Sequence, residues 1–141
     1  GSDLVVSDGD FEALLRLDLP EKARLAVMQA QVYDDAASAC FRGFFASRRN
    51  YDIAQGVDGR GRACSGVLEQ SWRVGGASGA EVAALERFIK GGSGAVRAST
   101  VEVYGESQAV PPEATVLFRD EDAEVGFITK YVTVDDYGDP K

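Results

Sequence analysis

Apolar residues recur at three- and four-residue steps through the first ninety positions and at two-residue steps beyond Ala95, which predicts helices first and strands second. In VVSDGDFEALLRLD, Ser7 or Asp8 is placed to cap a short helix with Phe11, Leu14 and Leu15 on one side. The stretch DLPEKARLAVMQAQVYDDAASACFRGFF opens with capping-box spacing, Asp18 to Glu21, and puts Pro20 in the first turn. Leu25, Met28, Val32, Ala36, Cys40 and Phe44 then form one stripe, expected to face the core. Asn50, Gly56, Gly59 and Gly61 break the pattern and predict a loop over 50–61. CSGVLEQSWRV reads as a third helix with Val67, Leu68 and Trp72 inward. ASGAEVAALERFIKGG reads as a fourth, with a Ser78–Glu81 capping box and Val82, Leu85, Phe88 and Ile89 on the apolar face.

From Ala95 the β-branched, alternating AVRASTVEVYG, then ATVLFR and EVGFITKYVTVDD, read as three strands, with Pro111-Pro112 barring continuation of the first and DEDA as a hairpin turn. The fold class expected is therefore α+β: about four amino-terminal helices packed on a carboxy-terminal antiparallel meander of about three strands. A single domain over 3–141 is expected, with Gly1-Ser2 as a cloning scar and 135–141 as a flexible tail. The last strand is apolar on both sides, with Ile128, Val132 and Val134 on one face and Val125, Phe127 and Tyr131 on the other. Either helices cover both faces or one face is kept for a partner, a ligand or a second subunit.

Composition narrows the chemistry. A formal net charge of −8 argues against duplex nucleic acid as a partner and steers the chain toward basic ones. No apolar run approaches the roughly 18 residues of a membrane span. The chain has no histidine, which removes the commonest general base and metal ligand and rules out Ser-His-Asp and Cys-His nucleophile systems. Cys40 and Cys64 alone do not make a four-ligand zinc site. They suit a disulfide instead, one closing a loop worth roughly 3 to 4 kcal/mol and pointing to a periplasmic or secreted protein. Inside that loop Arg42, Arg48, Arg49, Arg60 and Arg62 face only Asp52 and Asp58, an arginine-rich window suited to anions.

The acidic runs at Asp8-Asp10-Glu12 and Asp120-Asp122-Glu124 lack the glycine and glutamate of a helix–loop–helix calcium site. A carboxylate pair from Asp34, Asp35, Glu102 and Glu106, or a tyrosine–aspartate pair drawn from Tyr33, Tyr51, Tyr104 and Tyr131, is a candidate by residue type alone. No catalytic residue, metal site or cofactor is assigned. The expected function is that of a small exported protein-binding module of the inhibitor, immunity or assembly-component kind. Its contacts would be made by Phe127, Tyr131, Arg48, Arg49, Arg60 and Arg62, with another protein, favoured to be basic, or with a second copy through the sheet. The alternative is a small-molecule pocket or histidine-free enzyme, with helices over a curved sheet forming a cone.

Overall fold

The computed structural model describes residues 1–105 and 109–138. In chain order the elements are β1 (Ser2–Ser7), α1 (Phe11–Leu15), α2 (Glu21–Cys40), β2 (Asn50–Val57), β3 (Ala63–Ser71), α3 (Ser78–Ile89), β4 (Ala95–Tyr104), β5 (Thr115–Asp122) and β6 (Gly126–Asp136). They form two compact units, one of Gly1–Asp8 with Gly75–Lys141 and one of Gly9–Val74.

The first unit is a four-stranded sheet in the order β1-β4-β6-β5, every neighbouring pair antiparallel, with α3 on one face. Alternation along β4 and β6 sends Val96, Ala98, Ile128 and Val132 to the α3 side, where all four are buried. Ala80 and Ala84 of α3 meet Val96 and Ala98, and Leu4, Val6, Phe88 and Val134 close around them. Two alanines one helical turn apart let α3 lie close to the sheet. At the far end of the unit Asp136 accepts from the Ser93 hydroxyl at 2.8 Å and from Arg87 at 3.2 Å, which holds its carboxyl below the usual range.

The second unit packs α2 against the hairpin β2–β3. Asp10 caps α1, its carboxylate accepting from the Ala13 N–H at 3.0 Å. The hairpin turns at Asp58, whose carboxylate accepts from the backbone N–H groups of Arg60 and Arg62 and from the Arg62 guanidinium. Those bonds, the Arg62 backbone first, hold Asp58 below the usual carboxylate range.

This architecture corrects the one expected from the sequence. Among the described residues there are three helices and six strands, in a four-stranded and a two-stranded sheet, rather than four helices on a three-stranded meander. The loop expected over 50–61 and the helix expected from Cys64 onward are the two arms of one hairpin: Tyr51, Ile53 and Val67 are β-formers, and Gly59 and Gly61 punctuate only its turn. β1 was not foreseen, and it pairs along β4 from Ser2↔Thr100 to Ser7↔Ala95. β6 lies between β4 and β5, so consecutive strands do not form a meander. Asp135 and Asp136, read as the start of a tail, complete β6 opposite Arg97 and Val96; Asp139 to Lys141 lie outside the described residues.

The disulfide is also corrected. Both cysteines are free and exposed. Ser65, next to Cys64, hydrogen-bonds Gln29 of α2, whereas Cys40 lies eleven residues further along that helix. At about 1.5 Å per residue this is roughly 16 Å, against the ~4.5 Å a bridge allows between β-carbons. Without that bridge the cysteines give no support for a periplasmic or secreted location. No helix among the described residues is long and apolar enough to cross a membrane.

Candidate functional site

The arginine window breaks up into local partnerships. Arg48 donates to the Arg73 carbonyl at 2.8 Å, Arg49 pairs with Asp34 at 2.9 Å, and Arg62 pairs with Asp58 at 2.8 Å across the hairpin turn that also carries Arg60. These guanidiniums stitch the Gly9–Val74 unit together instead of converging on one anion-sized point. Phe127 and Tyr131 belong to the other unit, on the face of β6 turned away from α3. Both are half-buried, Tyr131 between Val101 and Val116 of the flanking strands and Phe127 opposite Glu121. Among the described residues no helix of their own unit lies on that face.

One tyrosine–aspartate pair of the kind the sequence suggests does form. The Tyr51 hydroxyl donates to Asp34 at 2.6 Å, and Arg49 takes the other carboxylate oxygen. Burial, and then the Asp34 hydrogen bond, push the Tyr51 phenol above its ordinary value. A phenol donating to a carboxylate whose two oxygens are both engaged forms a structural clasp between α2 and β2. Beside the clasp, Tyr33, Ala36, Ala37, Cys40, Phe41, Gln70 and Trp72 line a groove of about 360 Å³. Tyr51, Asp34 and Arg49 do not line it, and Gln70 is its one amide.

The apolar surface left open by α3 was missed by sequence reasoning. α3 buries Ala80 and Ala84 completely and leaves Val82, Leu85 and Ile89 exposed; of the expected face only Phe88 packs against the core. Four strands at about 4.8 Å spacing make a sheet roughly 19 Å wide, and one helix about 10 Å across covers half of it. α3 lies over β1, β4 and β6, not β5. The uncovered strip is a groove bounded by Val82, Glu86, Thr115, Leu117, Val132 and Val134. A β-bulge between Val116 and Phe118 makes Leu117 the extra residue of β5, and its side chain lies toward α3, by Gly79. Val82 and Leu117 are each 54% exposed. At about 210 Å³ the groove is below the roughly 300–1,000 Å³ of small-molecule pockets. The signal that finds it is the i, i+4, i+8 spacing of Ala80, Ala84 and Phe88, which marks the packed face and so exposes the other.

Charge divides between the units. Gly9–Val74 holds nine Asp/Glu and nine Lys/Arg and is neutral; the rest holds fourteen against six and carries the whole net charge of −8. The open strip therefore sits on the acidic unit.

A model of the family DUF3182, described as a protein of unknown function, matches residues 1–132, and the chain belongs to that family. No curated protein and no solved structure matches it.

Proposed function

We propose that this member of the DUF3182 family is a protein-binding module that docks an amphipathic helix of a basic partner into the strip between α3 and β5. The observation that carries the reading is the half-covered sheet: Val82 and Leu117 stand exposed above buried Val132, where a second helix beside α3 would complete the layer. Glu86 and Lys90 pair along the rim at 3.4 Å, so polar groups border an apolar floor, as interfaces do. A partner with positive charge is favoured because the acidic unit steers association.

The test is a photo-cross-linking residue placed at Leu117 in cells that make the protein. One protein should be trapped there, and the trapping should disappear with Val82→Glu, a change at an exposed position that leaves the circular dichroism intact. With the identified partner's helix as a peptide, Val82→Glu should weaken binding on the order of 10- to 100-fold. Cross-links only to scattered proteins, or a partner indifferent to Val82→Glu, would sink the reading. One observation favours a second reading, a small apolar ligand: the groove beside Trp72 falls within pocket size. Trp72 is the chain's single tryptophan, so a ligand there shifts its emission directly, and native mass spectrometry of the purified protein would reveal a retained adduct.

A further inference from the structure

The outward face of α2 carries a second pattern, independent of the strip on the other unit. Its inward face is Val27, Ala30, Asp34 and Ala37, with Asp34 and Ala37 buried. Away from Asp34 and Ala37, Glu21, Leu25, Met28, Val32, Asp35 and Ala39 follow one another at steps of four, three, four, three and four, the seam spacing of a coiled coil, with Leu25 at the edge where the helix also borders the β2–β3 hairpin. Leu25, Met28 and Val32 are 44%, 50% and 70% exposed. No charged residue lies between Arg24 and Asp34, so the centre of the seam is a bare apolar stripe.

Charged groups bracket that stripe, and their arrangement selects the occupant. Arg24 stands at its amino end and Asp35 at its carboxyl end. Among the described residues neither forms an ion pair; the Arg24 guanidinium donates to the Leu15 and Leu17 carbonyls at the end of α1. We propose that α2 pairs antiparallel with α2 of a second copy, about a two-fold axis level with Ala30. That register sets Met28 of each copy against Val32 of the other. It also sets Asp35 of each copy, a seam position, against Leu25 of the other, with Arg24 on the flank next to that carboxylate, twice over by symmetry. Parallel pairing would set Asp35 against Asp35 in the seam and leave Arg24 on opposite flanks with no carboxylate beside it. The unit that carries α2 is neutral, so it adds no net repulsion between copies. A single helix pair buries less than the roughly 800 Å² per partner of a standard interface, so the dimer is weak and concentration-dependent.

The test is sedimentation velocity on the full chain from about 1 µM to 500 µM. A monomer–dimer equilibrium is expected, with Kd on the order of 10–100 µM. Val32→Glu and, separately, Asp35→Lys should each raise Kd at least fivefold with unchanged far-ultraviolet circular dichroism, since both positions are exposed. Orientation is read from a nitroxide on Cys40 in a Cys64→Ser background. Antiparallel pairing about Ala30 separates the two Cys40 positions by roughly 30 Å along the helix, whereas parallel pairing brings them within about 15 Å. A monomer throughout the range, a dimer indifferent to Val32→Glu, or a short Cys40–Cys40 distance would each overturn the proposal. None of these results bears on the strip beside α3, which lies on the other unit.

Discussion

A carboxylate 7% exposed is held on the inner face of α2 because both of its oxygens have partners: Asp34 binds the Tyr51 hydroxyl with one and Arg49 with the other. Truncation to alanine strips the phenol of its acceptor and leaves the guanidinium only the Ser38 hydroxyl. Asp34→Ala should therefore cost about 2–3 kcal/mol in urea unfolding, and Asp34→Asn, which keeps an acceptor for Tyr51, about half that. The same clasp sets an alkaline limit. Tyr51 has its folded pKa raised above its unfolded value of about 10, so the stability it contributes is complete below that value and is lost as pH rises through the folded pKa. The urea midpoint of the wild type should fall above pH 10 more steeply than that of Asp34→Asn, as both are titrated upward. Equal slopes would mean that Tyr51 and Asp34 are not coupled. Part of this clasp was legible in advance, since Tyr51 and Asp34 stand out by type. Their meeting was not: it depends on residues 50–57 being a strand rather than a loop, which the glycines concealed.

Both long helices bury alanines at their packed centres and leave several larger apolar residues outside, which explains much of what the sequence concealed. Ranking apolar side chains by size picks Leu25, Met28 and Val32 on α2 and Val82, Leu85, Phe88 and Ile89 on α3 as core, and of the last four only Phe88 packs there. The structure packs Ala37 on the first helix and Ala80 and Ala84 on the second. Close approach of a helix to a sheet rewards the residue that fits, and at zero exposure against Val96 and Ala98 that residue is alanine. β4, β5 and β6 were readable because alternation of β-branched residues has a period of its own and is not confused by size. The consequence for α3 can be measured. Ala84→Leu should overpack the core and lower stability by about 1–3 kcal/mol, whereas Ile89→Ser should stay within about 0.5 kcal/mol of wild type. If thermal or urea unfolding ranked them the other way, the helix would be seated on the face first read from its sequence.

At the scale of the whole chain, β1 and β4 are hydrogen-bonded neighbours although Gly9–Val74 intervenes between β1 and α3. The inserted unit has its own hairpin, its own helices and no net charge, while the sheet that brackets it keeps a separate core and all of the −8. The core of Ala80, Ala84, Val96 and Ala98, with Leu4, Val6, Phe88 and Val134 around it, is built from residues of the sheet unit. Replacing Gly9–Val74 with a flexible glycine–serine linker should therefore leave a four-stranded sheet with α3 on one face. It would be seen as dispersed amide resonances for β4 and β6 that overlay those of the intact protein, and as a single cooperative urea transition. Gly9–Val74 alone should fare worse. A two-stranded hairpin with one long helix in a segment of that size is marginal, and a neutral surface bearing Leu25, Met28, Val32 and Leu68 promotes association. If the excised sheet instead lost its β4–β6 dispersion, the insert would be a folding partner of the sheet, and substitutions in one unit would have to be judged by their effect on the other.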